Sequence, residues 1–480
     1  MRWLCMIVCL TACNLSWGVR DYTRTADAAH ADAELGIVDA ATDAATDAAV
    51  GLSDSAVDTA VSADALVLGS MVQRAYVKSA TTGQSKMFGS GIALSADGSR
   101  LAISEANSVQ IFTRSGSMWS YEATIAVGVD TVAAGGNVLA LSGDGARIAV
   151  GVQDVAAFVF VRAGTTWTQE ARLDHPAKQT ADFFGCSVAM SRDGMAVVVG
   201  AYDENSTNVS GTLQTFAGAA HVFTRSVATW TYRQRVLGSN TEPNDYFGSA
   251  VSVSGDGSFI AVGAWGESSS STGIDGNQGN SALHSPGAAY LFVRSGTTWV
   301  QQAYVKASDT ATDQYFGWSV SLDDAGSTFA VGAYYWGSGI GAAYVFTRSG
   351  SVWSQQARIQ APNAETNDLF GISVALAADG NTLAVGAGGE AGAGTGPADN
   401  SKPYSGAAYV FTRAVSMWSC AAYVKASNPD ADDRFGRVAL SGTGTVLAVG
   451  AYAEASGATG IGGDQTSNAV PYAGAAYVFE

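Results

Sequence analysis

From about residue 71 to residue 480, short apolar runs of four to eight residues alternate with glycine-rich or polar turns, and they come in groups of four. The stretch Phe316 to Gln360, FGWSVSLDDAGSTFAVGAYYWGSGIGAAYVFTRSGSVWSQQARIQ, holds one complete group. The first run follows a Phe-Gly pair (SVAMS, AVSVS, SVALA) and ends at a tight turn, as at Asp97-Gly98, Asp144-Gly145, Asp193-Gly194, Asp256-Gly257 and Asp379-Gly380. Asp-Gly tolerates positive φ and is a strong short-range hairpin signal. The second run reads TLAVGA or FIAVGA and the third AAYVFTR or AAYLFVR. The fourth opens with Trp119, Trp167, Trp230, Trp299, Trp353 or Trp418. Phe-Gly recurs at Phe88, Phe184, Phe247, Phe316, Phe370 and Phe435, with a worn copy at Gly135-Gly136, which makes seven groups. Hairpin-length links make neighbouring runs antiparallel, so the pattern predicts an all-β chain of seven four-stranded antiparallel units.

The strands are apolar on both faces, as in sheets covered on both sides. The chain ends separate a closed ring from an open solenoid. The last group stops after its third run at Glu480, while the segment MVQRAYVKSA at residues 71–80 aligns with the fourth run WVQQAYVKAS at 299–308. The N-terminal strand is therefore expected to complete the last unit, leaving no exposed sheet edge. Residues 71–480 are predicted to form a seven-bladed β-propeller with about 59 residues per blade.

The Phe-Gly start, the Val-Gly-Ala middle and the GAAYVF end resemble the FG-GAP repeat family, which includes the integrin-α propeller, over about 85% of the chain. The resemblance implies a propeller and extracellular binding or adhesion. Where the family reads Gly-Ala-Pro, this chain has Gly-Ala followed by Tyr202, Trp265, Tyr334, Gly388 or Tyr452. Integrin-type blades also carry calcium in a D-x-D-x-D-G loop between the first two strands. Here that loop is SADGS, SGDGA or SRDGM, and Ala325-Gly326 and Thr443-Gly444 lack even one Asp. Calcium needs six to eight oxygens, so the integrin calcium sites are not carried over, and no cofactor is expected.

Two segments precede the repeats. Residues 1–13, MRWLCMIVCLTAC, carry Arg2, a short apolar stretch and small residues before Cys13, an order that fits an export signal and resembles the bacterial lipobox. That resemblance implies lipidation of Cys13 and an outer-membrane lipoprotein or a secreted protein; an ordinary cleaved signal is the alternative. Residues 14–70 hold ten acidic residues against Arg20 and Arg24, about −8 of the chain's −17, with little apolar surface. They read as a disordered Ala/Asp-rich tether. The net negative charge disfavours nucleic acid as a partner. Beyond the leader only Cys186 and Cys420 remain, too few for a disulfide framework, and both are expected to be structural.

Function is expected in the loops. Links from the second to the third strand and between blades share one face and hold all the length variation: 202–217, 265–286, 334–340, 388–405 and 452–473. Loops on a rigid scaffold are the usual seat of binding. The ligand-binding candidates are Asp203, Glu204, Trp265, Glu267, Asp275, Trp336, Asp399 and Asp464, with Trp318 near them. Asp182, Asp245, Asp368 and Asp433 in the blade-to-blade links add to an acidic face. The plain account is a set of solvated acidic loops; the sharper one is a cationic partner or a loosely held divalent metal. The repeated tryptophans of the fourth strand suit packing better than sugar stacking. The four histidines, His30, His175, His221 and His284, show no metal spacing, and HExxH, GxSxG and GxxxxGK are absent. The expected function is non-enzymatic recognition of an extracellular protein or glycan by a monomer anchored to a membrane through lipid alone. A propeller-fold carbohydrate-active enzyme or a purely structural envelope protein is the alternative.

Overall fold

The computed structural model describes residues 71–81, 83–127, 138–177, 181–207, 210–394 and 399–480. Cys13, the segments 1–13 and 14–70, and the worn Gly135-Gly136 pair lie outside the described residues.

Seven four-stranded antiparallel sheets form, six of them in simple sequence order, as the repeat predicts. Blade 4 is representative, with strands Phe247–Val253, Phe259–Ala264, Ala288–Ser295 and Thr298–Val305. Blade 7 is composite: Phe435–Leu440, Leu447–Ala451 and Ala475–Phe479 take Gln73–Val77 as their fourth strand. That pairing is antiparallel, with Tyr76 opposite Tyr477 and Val77 opposite Ala476. First strands of successive blades touch all the way round, so they encircle the axis.

The two glycines of the motif have one cause, the close approach of neighbouring blades. In the Phe-Gly turns of five blades, Gly436 of blade 7 being the exception, the glycine takes φ near +92°, as at Gly248, Gly317 and Gly371, which a type II turn demands of its third residue. The N–H two residues after the Phe closes that turn by donating to the carbonyl one before it, as from Trp318 to Tyr315 at 3.2 Å. The glycine of Val-Gly-Ala then meets the Phe-Gly glycine of the next blade. A Cβ on Gly263 would lie 1.9 Å from the Gly317 carbonyl oxygen, and one on Gly450 would lie 2.0 Å from that of Gly89. The second contact joins blade 7 to blade 1. The tight turns at the other end are stitched blade to blade by backbone hydrogen bonds, from Ala96 to Gly143, Gly143 to Arg192, Gly255 to Asp324 and Ala378 to Gly442.

The core lies within and between the sheets. The Phe of Phe-Gly packs edge-on against the third-strand Tyr of its own blade, with ring centroids 5.2 Å apart for Phe247 and Tyr290 and 5.3 Å for Phe316 and Tyr344. The fourth-strand tryptophans are structural. Each stands opposite the arginine that ends the third strand, as Arg294 does Trp299, with the guanidinium 5.2 Å from the ring in that pair. Trp299 Nε1 donates to the Gly257 carbonyl, and Trp230 Nε1 donates to Glu170 of the preceding blade.

Candidate functional site

Most of the loop carboxylates face inward, which corrects the expectation of an acidic loop face. In blades 4, 6 and 7 a glutamate three residues after the Ala of Gly-Ala meets the Tyr-x-Lys of the fourth strand. Glu267 accepts from Lys306 Nζ at 2.6 Å and from Tyr304 at 2.8 Å. Glu390 accepts from Lys425 at 2.7 Å and Tyr423 at 2.8 Å, and Glu454 accepts from Lys78 at 2.5 Å and Tyr76 at 2.9 Å. All three glutamates are about 1% exposed. They tie the base of each long loop to the outer strand. A buried charge needs a partner with good geometry, and here it has one. Burial pulls the Lys306, Lys78 and Lys425 ammonium groups below their ordinary value against the pull of the glutamates.

The link aspartates Asp245, Asp368 and Asp433 sit beside these pairs, buried, each accepting the backbone N–H three residues earlier at 2.7, 2.7 and 2.8 Å. Burial, and then the neighbouring glutamate, push Asp368 and Asp433 up to about 7 and Asp245 well above the carboxylate range. Two acids share one lysine in each blade, so one carboxyl keeps its proton more readily.

Blade 3 changes this arrangement. His221 stands where other blades have the third-strand Tyr, and Arg235 replaces the fourth-strand Tyr. Glu204 Oε2 lies 2.9 Å from His175 Nε2 and 2.7 Å from His221 Nε2, and Arg235 Nε lies 2.6 Å from Oε1. Two histidines 46 residues apart thus meet one carboxylate, which spacing alone did not reveal. The three ligand atoms lie within 4.8 Å of one another. The hydrogen bonds favour a buried ion cluster over a metal. Ala177 N–H donates to His175 Nδ1 at 2.9 Å, which leaves the proton of the neutral ring on Nε2, aimed at Glu204. A metal on Nε2 would displace that proton, and Arg235 already neutralises Glu204. Burial alone would raise Glu204; the histidine hydrogen bonds and Arg235 outweigh it and hold the carboxyl at about 2. Burial lowers His221, so its ring is neutral at pH 7.

The other candidates fall into two groups. Asp275 ties its loop to the fourth strand, Oδ1 accepting from Tyr304 N at 2.9 Å, while Asp399 and Asp464 organise their own loops, accepting from Ser401 N at 3.0 Å and from Thr466 N at 2.9 Å. The two longest loops turn outward along the fourth strand, where Ile274 bridges to Val305 and Ile461 to Val77. Trp336 packs under Arg358, 4.6 Å from its ring, and donates to Asp309 at 2.9 Å.

Trp265, Trp318 and Asp203 lie instead near the axis, in a feature that repeat by repeat reading did not assemble. In each blade the residue before Phe-Gly and the residue after Gly-Ala end at the same place, on the innermost strands at the long-loop end. In blades 3 to 5 both are aromatic. Phe183 and Tyr202 lie 5.0 Å apart, Tyr246 and Trp265 are stacked at 4.2 Å and 11°, and Tyr315 and Tyr334 are stacked at 5.4 Å and 13°. Between blades, Tyr202 reaches Tyr246 at 6.1 Å and Trp265 reaches Tyr315 at 5.5 Å. Trp318 joins from the first strand, 4.7 Å from Tyr334 and 6.0 Å from Trp265. Most of these rings are half-buried, so each keeps accessible surface. Asp203 borders the arc; its buried Oδ1 has no partner among the described residues, and burial, then Asp154 and Asp182, push it to about 7. Burial raises the adjacent Cys186 thiol to about 12, consistent with a structural thiol.

The repeat geometry has a match among known families. Residues 167–223, 230–292, 299–346 and 353–411 match the FG-GAP repeat. The chain carries FG-GAP repeats. No curated protein matches it. The four matched repeats of this FG-GAP propeller cover the fourth strand of one blade and the first three of the next, blades 2 to 6, and so contain the whole aromatic arc. The tight-turn end of the axis offers less: a polar cavity of about 110 Å³, lined by Leu141, Met190, Val253 and Leu440 and spanned by the Arg192–Asp324 pair. Small-molecule sites run to ~300–1,000 Å³.

Proposed function

We propose that this FG-GAP propeller is a non-enzymatic binding module that recognises a glycan at the long-loop end of its axis. The observation that carries the reading is the unbroken run of rings from Phe183 to Tyr334 across three blades. Aromatic side chains with one face packed and an edge or face left wet give large contact area at low entropic cost, and they stack on the apolar faces of sugar rings. The stacked pairs fix the rings before any ligand arrives, which reduces the cost of binding. Catalysis finds less support, because the loop glutamates Glu267, Glu390, Glu454 and Glu204 are committed to Lys306, Lys425, Lys78 and Arg235. The lipobox-like order before Cys13 supports display at a bacterial envelope, with the acidic segment as a spacer.

A glycan array probed with the labelled chain tests this. Retention of a defined set of glycans, weakened about tenfold or more in Trp265→Ala, is expected. An empty array, or one unchanged by that substitution and by Tyr315→Ala, would remove the reading.

A further inference from the structure

The five most exposed large apolar side chains among the described residues share one kind of place. Met118, Val227, Val352, Val415 and Met417, each 69% exposed or more, stand at the hairpins that join the third strand to the fourth, in blades 1, 3, 5 and 6. These hairpins form the outer rim of the tight-turn end, opposite the aromatic arc. Val227 and Val415 also carry backbone strain. They take φ of +57° and +61° where other blades have Gly116, Gly164, Gly296 and Gly350, at +60° to +65°. The left-handed region is costly for a β-branched residue. Packing returns nothing there, because a Cβ on any of those four glycines would meet nothing within 4 Å. Strain that no internal contact offsets points to a contact outside the chain.

Two further features identify that contact. The first is charge. Arg294, Arg348 and Arg413 end the third strands of blades 4 to 6 at this rim. Among the described residues they bond only neutral groups, the carbonyls of Gly296, Gly326 and Gly350 and the side chains of Asn381, Gln356 and Thr328. Each therefore keeps its positive charge on the rim. The Asp-Gly aspartates lie nearer the axis, each closing its own turn by accepting a backbone N–H. The second is the entry of the chain. Val72 N–H donates to the Glu480 carbonyl at 2.8 Å, at the end of the third strand of blade 7, so residues 1–70 join the propeller at this same rim.

We propose that this rim rests on an anionic phospholipid bilayer, with the valine and methionine tips entering the headgroup–acyl boundary, the three arginines meeting lipid phosphates, and the aromatic arc facing away from the membrane. Apolar tips gain by leaving water at that boundary, and nearby cations add attraction to anionic headgroups. A ring of turns meets a flat surface at several blades at once, which multiplies contacts that are weak singly. The inference goes beyond the glycan reading and shares with it only the setting at an envelope.

The test mixes the full chain, made without lipid on Cys13, with vesicles of phosphatidylethanolamine and phosphatidylglycerol and follows hydrogen exchange. Slower exchange on the vesicles is expected at residues 114–119, 225–230, 348–353 and 413–418, with exchange unchanged at 202–207 and 265–286. Attachment through the N-terminal residues alone would leave those hairpins unprotected. The combined variant Val227→Gly, Val415→Gly, Met417→Thr installs what other blades have at these places, Gly296 and Thr298 in blade 4. It is expected to bind the vesicles about tenfold less and to melt at or above the wild-type temperature. Hairpins left unprotected on the vesicles, or a variant that binds as well as wild type, would overturn the proposal. So would a variant that melts lower, which would make the tips packing residues. Protection that rises with chain concentration in the absence of vesicles would assign the rim to a second copy instead. None of these outcomes depends on the glycan array, so either reading can fail alone.

Discussion

At the scale of single residues, the motif is legible because its glycines answer a backbone constraint that sequence displays directly. Gly263 faces the Gly317 carbonyl with room for hydrogen alone, since a Cβ there would lie at 1.9 Å. Gly263→Ala is expected to cost about 3 kcal/mol or more, by forcing blades 4 and 5 apart. Gly296→Ala, in a turn at φ +64° with nothing within 4 Å, should cost only about 1 kcal/mol, the penalty of the left-handed backbone. Denaturant midpoints with unchanged slopes would check the contrast; equal losses would refute the blade-contact account. The buried Lys–Glu pairs were less legible, because single repeats present them as an acidic loop residue and a basic strand residue. Their signal lay in the fixed spacing: Glu204, Glu267, Glu390 and Glu454 all stand three residues after the Ala of Gly-Ala, and Lys78, Lys306 and Lys425 all follow Tyr-Val. Lys306→Met should cost about 3–5 kcal/mol by leaving Glu267 unpaired. The Lys306→Met, Glu267→Gln double variant should lose clearly less than the sum of the single losses, as measured in a double-mutant cycle.

At the scale of elements, hairpin turns, strand order and ring closure could all be read from the pattern, since a meander with short links allows one antiparallel order. The closing strand Gln73–Val77 is held by pairing with Ala476–Phe479 and by the Lys78–Glu454 pair at its end. Deleting residues 71–80 exposes the edge of Ala475–Phe479 and leaves Glu454 without its lysine. Such a chain is expected to lose its single cooperative melting transition; a sharp transition at the wild-type temperature would refute closure by this strand. The course of the longest loops was not legible. They were expected to stand on the loop face, but their middles lie along the outer strand, with Gly273 donating to the Ala307 carbonyl at 3.3 Å and Gly462 to that of Tyr76 at 2.9 Å. Periodicity reports which side of a strand is apolar and carries no term for an irregular segment that pairs with a strand edge. The aromatic arc escaped for a related reason: its members are adjacent around the axis and 16 to 53 residues apart in sequence, as Trp318 is from Tyr334 and from Trp265.

At the scale of the whole molecule, the shared lysines set how stability follows pH. Asp368 and Asp433, at about 7 in the folded chain, start from an ordinary value of 3.8. Between those values the folded state binds more protons than the unfolded one, so stability increases as pH falls from about 7 toward 4 and is fully present below 3.8. Asp245 acts in the same direction over a wider range. His221 opposes this, because its folded value is lowered from 6.5, and its contribution is lost as pH falls below that. Asp203, also raised to about 7, adds to the three link aspartates, so four aspartates against one histidine leave a net gain on acidification. The gain ends where Glu204 begins to take up protons, as pH falls from 4.5 toward about 2. The melting temperature is therefore expected to rise from pH 8 to about pH 4.5 and to fall below that. Asp433→Asn separates this cause from the chain's general negative charge. An asparagine carbonyl can still accept the Asp430 N–H while carrying no charge beside Glu454, so the variant should melt above wild type at pH 8 and lose part of the rise toward pH 5. A slope identical to wild type in Asp433→Asn and in Asp368→Asn would assign the pH response to surface charge and leave the paired acids as packing alone.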